Sequence, residues 1–239
     1  MLRAKKSLSQ NFLKDKNICK KIVKLTRIKN KSIMEIGPGY GFMTDIILDN
    51  HPKKIILIEK DKELIKYLIE KYKNNKKVTI INEDILKFNP KTFNNLTVIS
   101  NLPYNISTKI ILYLFNFNKS ISEMIFMVQK EVSLKFDYNL SDMNKYKFLT
   151  NLITTYFRCF DVSPKVFIPK PKVYSTVVKF KFNKKGFDLL KAYKFSNLIF
   201  KNVRKKINNN INLNSDNILL KKRVNQLTID ELLIIYDLF

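Results

Sequence analysis

Three of the four glycines in this 239-residue chain fall within five positions, Gly37-Pro38-Gly39-Tyr40-Gly41, and no other stretch restricts the possible folds so tightly. An apolar run, Ser32-Ile33-Met34-Glu35-Ile36, leads into the turn, and a helical spacing of Phe42, Ile46 and Ile47 leads out of it. Strand, glycine turn and helix in that order let a ligand's polar groups approach backbone N–H groups at a helix start. The next run, Ile55-Ile56-Leu57-Ile58, ends in Glu59, about 20 residues beyond Gly37, the spacing at which an acid grips a ribose hydroxyl pair. These residues predict a unit that binds a nucleoside-bearing ligand. The turn reads Gly-x-Gly-x-Gly, not the Gly-x-Gly-x-x-Gly that packs a helix under a pyrophosphate, which disfavours a nicotinamide dinucleotide. No Walker sequence is present.

The alternation continues along the chain. Val78-Thr79-Ile80-Ile81-Asn82 ends at Glu83-Asp84, Leu96-Thr97-Val98-Ile99 delivers Asn101-Leu102-Pro103-Tyr104, and Met124-Ile125-Phe126-Met127-Val128 ends at Gln129-Lys130-Glu131. Helical patterns over 62–72 and 107–115 separate them, so the class expected is α/β with a parallel, doubly wound sheet. Ligands of such sheets sit outside the carboxyl ends of the strands, and Gly37, Glu59, Asp84 and Asn101 all fall there. Pro103 biases Leu102 away from helical angles, leaving its carbonyl free of helix bonding. Asn101 adds a second acceptor, and Tyr104 offers a flat face on which a base can stack. Read in isolation, the same stretch is also a strand-to-helix turn with Ser107 as N-cap, and Asp84 a helix-capping acid.

Further on, 137–146 is polar and predicts a loop, Phe148–Phe157 a helix, and Val173–Phe180 a partly exposed strand after the proline-stiffened Phe167-Ile168-Pro169-Lys170-Pro171-Lys172. After Lys184-Lys185-Gly186 the pattern turns helical, which sets the expected division at 1–184 and 185–239. Thr228-Ile229-Asp230-Glu231 reads as a capping box for a last helix. Formal net charge is +25, from 45 Lys+Arg against 20 Asp+Glu, which favours a polyanionic partner. The longest apolar runs, such as 110–115, fall far short of the roughly 20 residues of a membrane span. Cys19 and Cys159 lie far apart and His51 is the single histidine, so neither a metal site nor a disulfide framework is expected, and a cytoplasmic setting is. The basic start, Met1-Leu2-Arg3-Ala4-Lys5-Lys6, is followed by no apolar segment of the secretory kind.

Taken together, Ser9-Gln10-Asn11-Phe12-Leu13, Glu35-Ile36-Gly37-Pro38-Gly39-x-Gly41, Glu59, Asp84, Asn101-Leu102-Pro103-Tyr104-Asn105-Ile106-Ser107-Thr108, Gln129-Lys130-Glu131-Val132 and Phe167-x-Pro169-x-Pro171-Lys172-Val173-x-Ser175 resemble the ribosomal RNA adenine N6,N6-dimethyltransferase family, in particular its bacterial small-subunit, kasugamycin-sensitivity type. The resemblance spans nearly the whole length. It implies a Rossmann-like S-adenosylmethionine-dependent methyltransferase fold with a small C-terminal all-α, rRNA-binding domain. It implies cofactor contacts from Asn11, Leu13, Gly37, Gly39, Glu59, Asp84 and Asn101, and a catalytic floor of Asn101, Leu102, Pro103 and Tyr104, with Phe167 on the other face of the target base. Arg204, Lys205 and Lys206 are the expected RNA-phosphate contacts. The implied activity is transfer of four methyl groups to two adjacent adenosines near the 3′ end of small-subunit rRNA within a 30S particle, by a monomer. A rival is methylation of large-subunit rRNA, whose enzymes usually carry Ile where Leu102 stands; another is an assembly binder that has lost catalysis. Two departures touch the substrate side: Tyr146-Lys147-Phe148-Leu149-Thr150 replaces a common Tyr-Gly-Arg-Leu-Ser, and Lys170 and Tyr174 replace a Pro and an Asp.

Overall fold

A computed structural model describes Lys5 and residues 10–183, 187–213 and 215–239. Ser9, Met1–Ala4, Lys6 and the Lys184-Lys185-Gly186 boundary lie outside the described residues. The elements run β1 (Phe12–Leu13), α1 (Lys16–Val23), β2 (Ser32–Ile36), α2 (Phe42–Asp49), β3 (Lys54–Glu59), α3 (Lys62–Tyr72), β4 (Val78–Asn82), β5 (Leu96–Asn101), α4 (Ser107–Phe115), β6 (Ile121–Gln129) and α5 (Lys130–Phe136). They continue with α6 (Lys145–Ile153), β7 (Thr154–Val162), β8 (Phe167–Ile168), β9 (Ser175–Phe182), α7 (Leu189–Ile199) and α8 (Ile229–Leu238).

Seven strands form one sheet in the order β4-β3-β2-β5-β6-β9-β7. Strands β2 to β6 are mutually parallel, and β9 runs antiparallel to β6. The β-branched runs of β2, β3 and β5 are buried along nearly their whole length, as parallel strands are when neither sheet face is left to water. The chain winds outward from β2 to β4 and then returns to place β5 on the other side of β2. That reversal opens a crevice at the carboxyl ends of β2 and β5.

Contacts divide the chain into two compact units, one of Met1–Ser133 with Phe157–Phe182 and one of Leu134–Tyr156 with Asn183–Phe239. This differs from the division expected at 184/185, because 134–156 groups with the tail. The reason is aromatic: Phe148 of α6 is fully buried, with its ring 5.2 Å from Phe195 and 5.7 Å from Tyr236, and Phe195 lies 5.3 Å from Phe239. The Thr228–Glu231 capping box closes α8 as expected, each partner bonding the other's backbone. Between α7 and α8 the described residues make short 3-10 turns at 207–209, 218–221 and 224–226, which interrupt the helical pattern of the tail.

One local expectation is corrected, and the loop expected over 137–146 is irregular as far as Asn144. The helix predicted over Phe148–Phe157 ends at Ile153, and Thr154–Val162 is strand. Thr154 and Tyr156 are buried while Thr155 and Phe157 are exposed, the period-2 pattern that β-branched and aromatic residues favour. The polar 137–146 stretch is held in place: Asp137 Oδ1 accepts from Asn139 N at 3.2 Å, and the buried Lys147 ammonium donates to the carbonyls of Leu140 and Ser141. Lys147 is therefore spent on its own loop and does not supply the arginine contact missing from this segment.

Candidate active site

Asn11, Leu13, Gly37, Gly39, Glu59, Asp84 and Asn101 line one cavity of about 250 Å³, together with Leu102, Pro103 and Tyr104. The glycine turn forms its floor at the end of β2. Gly37, Gly39 and Gly41 all have φ between 58° and 74°, a left-handed conformation that costs L-residues with a Cβ roughly 1–2 kcal/mol each. A Cβ on Gly37 would meet nothing within 4 Å, whereas one on Gly39 would sit 2.9 Å from Phe12 Cδ1. The first glycine thus leaves room above the turn, and the second lets the Phe12 ring lie across it, edge-on to Tyr40 at 4.8 Å.

The acids at the next two strand ends are held differently. Glu59 is buried, and its Oε1 accepts from the backbone N–H groups of Lys60 and Asp61, both at 2.9 Å. Burial raises its pKa, and backbone N–H groups of Asp61, Gly39 and Lys60 counter that rise. A carboxylate has about four lone-pair sites, so acceptor capacity is left for a hydroxyl pair. Asp84 is more open; Leu86 N donates to its Oδ1 at 3.0 Å and Lys60 Nζ to its Oδ2 at 2.9 Å. Burial pushes its carboxyl upward, but the Lys60 ammonium and the Leu86 N–H outweigh it and hold the pKa low. Below the turn, Glu35 lies deep in the wall, takes a hydrogen bond from Thr44 Oγ1 at 2.6 Å, and is pushed up to about 8 by its burial.

At the tip of β5, Asn101 Nδ2 donates to the backbone carbonyl of Asn11 at 2.8 Å. A carbonyl can only accept, so this bond fixes the amide orientation and leaves Oδ1 as the free acceptor. Oδ1 is buried and has no partner among the described residues. An acceptor left so costs about 1–3 kcal/mol, which a bound amine would recover. Leu102 N donates to Met127 O at 3.1 Å, anchoring the bend on β6. Tyr104 is locked by a 2.7 Å bond between its hydroxyl and Ser175 Oγ of β9, and burial raises its pKa. The helix N-cap is Ile106 rather than Ser107, whose hydroxyl instead donates back to Tyr104 O at 3.2 Å.

Phe167 does not join this group. It is 2% exposed, pairs with Leu13 in the β1–β8 ladder, and packs in the core with Ile99 and Val177. The two-strand pairing of 12–13 with 167–168 draws its ring into the apolar interior and away from the cavity lining. Its strand partner Leu13 does line the cavity. Arg204, Lys205 and Lys206 are exposed in the second unit.

Several supporting residues escaped the sequence reading. Asp61, 5% exposed, accepts from Lys5 Nζ at 2.8 Å and Gln10 Nε2 at 3.0 Å, tying the segment before Asn11 to the start of α3. Asn82 Nδ2 donates to Glu59 O at 2.9 Å, joining the tips of β3 and β4. Ser175 orients Tyr104. Asp61 carried one usable signal, its N-cap position before the 62–72 helix; the partners of all three are set by tertiary approach alone.

The sheet order, the glycine turn and the acid-tipped β3 define a Rossmann-like methyltransferase. Its methyl donor is S-adenosylmethionine, and the free space above Gly37 and the acceptor capacity left on Glu59 fit that group's nucleoside. The family model described as ribosomal RNA adenine dimethylase matches residues 1–239, and the chain belongs to that family. Ribosomal RNA small subunit methyltransferase A of Hydrogenobaculum sp. is 37% identical over 243 residues, covering 99% of this chain and 94% of the relative. The protein of the same name from Malacoplasma penetrans is 39% identical over 217 residues, covering 87% and 78%. Among solved structures, a dimethyladenosine transferase from Plasmodium falciparum superposes with a TM-score of 0.78 at 20% identity, covering 95% of this chain and 97% of that one. The 23S rRNA methyltransferase ErmE gives 0.75 at 18%, covering 95% and 98%. At those identities the structures speak to the fold. No cluster of potential metal ligands and no helix able to cross a membrane occurs among the described residues.

Proposed function

We propose that this dimethylase acts on the N6 amino groups of two adjacent adenosines near the 3′ end of small-subunit rRNA, as a cytoplasmic monomer working on a 30S particle. The observation that carries the reading is Asn101 Oδ1, an oriented and unpartnered acceptor on the wall of the cofactor cavity.

When bound, S-adenosylmethionine supplies an electrophilic methyl group on a sulfonium. The chain's residues make a poor nucleophile ready for it. An adenine amine is weakly nucleophilic because its lone pair is delocalised into the ring. Asn101 Oδ1 and the Leu102 carbonyl, which accepts nothing among the described residues, take the two amino hydrogens and turn the lone pair away from the ring. Tyr104, fixed through Ser175, carries the flipped base on its face, and stacking of this kind offsets unstacking by about 1–3 kcal/mol per base. The methylated amine is acidic and sheds its proton without a strong base, in keeping with a floor that holds no histidine or carboxylate. Positioning and exclusion of water carry the rate. Glu59 takes the ribose hydroxyls, and Asp84 the adenine amino group of the cofactor, sharing its carboxylate with Lys60. Asn11, Leu13, Gly37 and Gly39 supply the remaining wall, and Arg204, Lys205 and Lys206 hold rRNA phosphates.

Unmethylated small subunits incubated with methyl-labelled S-adenosylmethionine test this directly. Label is expected on two neighbouring adenosines, and Asn101→Ala should abolish it. Subunits that bind the protein yet gain no label would defeat the reading.

A further inference from the structure

Between the turn 163–166 and the stem of β9, Ser163, Pro164, Lys165, Lys170, Lys172 and Tyr174 line a shallow cleft with Pro171 between the last two lysines. Three of its lining residues are lysines. All three lysines are exposed, and none has an ion-pair or hydrogen-bond partner through its side chain among the described residues. Elsewhere in the same unit, Lys31, Lys60, Lys71 and Lys179 are each matched to a carboxylate. Tyr174 is 56% exposed, and its backbone is tied to the end of β6: its carbonyl accepts from Lys130 N at 3.0 Å. The next residue, Ser175, is fully buried and holds the Tyr104 hydroxyl. Tyr174, Ser175 and Tyr104 therefore link this open ring to the ring proposed to carry the target base.

We propose that this cleft is a subsite for a nucleotide flanking the target adenosine, with its base stacked on Tyr174 and its phosphates held by Lys165, Lys170 and Lys172. Unpaired cations beside an exposed aromatic face, with no acid among them, suit single-stranded RNA, in which every base has a π-face and every linkage a charge. A base flipped onto Tyr104 leaves its neighbours unstacked, and Tyr174 replaces one of the lost partners. The proposal rests on the methyl-transfer reading above and adds where the strand runs on leaving the pocket.

The test uses the full chain. With unmethylated small subunits, Tyr174→Ala should raise KM for the subunit on the order of 10- to 100-fold, with the affinity for S-adenosylmethionine and the melting temperature unmoved, and Tyr174→Phe should restore wild-type behaviour. Lys170→Ala with Lys172→Ala should lower the slope of log binding against log salt by about 0.7 per lost phosphate contact. A short RNA carrying 2-aminopurine beside the target adenosine gives a readout independent of methyl transfer: its fluorescence should be quenched by the wild type and by Tyr174→Phe but not by Tyr174→Ala. Equal quenching by all three, or a Tyr174→Ala enzyme with unchanged KM, overturns the subsite. Absence of methyl transfer by the wild type, with quenching intact, defeats the catalytic reading and leaves the subsite standing.

Discussion

Asn101 illustrates how one hydrogen bond can define a role. Because Nδ2 is committed to the Asn11 carbonyl, the side chain presents an acceptor and not a donor to the cavity. Asn101→Ala is expected to lower single-turnover methylation by about 10²- to 10³-fold, the usual loss when one preorganised polar partner is removed. Asn101→Asp should be as damaging, since a carboxylate oxygen would face the Asn11 carbonyl; wild-type turnover by either variant would refute the assignment. Gly39 makes a steric prediction. Its φ of 58° and the 2.9 Å approach of Phe12 to its Cβ position mean that Gly39→Ala strains the backbone and displaces the ring. Calorimetry should record at least a tenfold weaker affinity for S-adenosylmethionine, and adding Phe12→Leu should recover only the steric part. Asn101, Glu59 and Gly39 were legible from sequence because each sits at a strand end that the alternating pattern marks. The burial of Phe167 was not legible, because a phenylalanine in a proline-rich loop carries no sign of whether its ring turns inward.

At the scale of elements, the sheet is tied at its other end by a charged cluster on β6. Glu123 accepts from Lys31 and Lys179, each at 2.8 Å, and from Thr97 at 3.3 Å, with Thr26 bonded to it as well. Although burial opposes ionisation, the Lys179, Lys31 and Thr26 bonds hold its pKa down to about 2. A carboxyl lowered on folding adds stability that is complete above its unfolded value of 4.5 and is lost as pH falls toward 2. Glu35 works in the opposite sense: raised to about 8, it weakens the fold progressively as pH climbs from 4.5 through 8. Thermal melts should show Glu123→Gln destabilised by about 3 kcal/mol at neutral pH, because two lysines lose their partner, with the gap to wild type closing below pH 4. Glu35→Gln should gain on the wild type between pH 5 and 8. A gap that ignores pH in either variant would show that these carboxyls are not the groups titrating. The Glu123 cluster was invisible in sequence, since its members come from four separate segments.

For the whole molecule, the positive charge divides between ammonium groups already matched to carboxylates and those left open. Arg204, Lys205 and Lys206 are all exposed, and neutralising all three should flatten the salt dependence of small-subunit binding by about two to three units of slope at 0.7–0.9 per phosphate contact. An unchanged slope would assign the tail's charge to composition instead of recognition. Binding titrations from 50 to 300 mM salt are sufficient to separate these outcomes.

By itself the sequence determined the alternating α/β order, the glycine turn and the row of polar residues at successive strand ends, because a parallel strand buried on both faces must be apolar until it emerges at its ligand-bearing tip. It also determined the α8 capping box, which is local. Only the tertiary structure decided which of those residues face one another: the pairing of 12–13 with 167–168 that buries Phe167, the Asn11 carbonyl that orients Asn101, the Asp61 clasp on Lys5 and Gln10, and the aromatic packing that draws 134–156 to the tail. These contacts link residues from about 50 to more than 150 positions apart. Spacing and periodicity record what a segment buries, and they hold no information about which distant segment it is buried against.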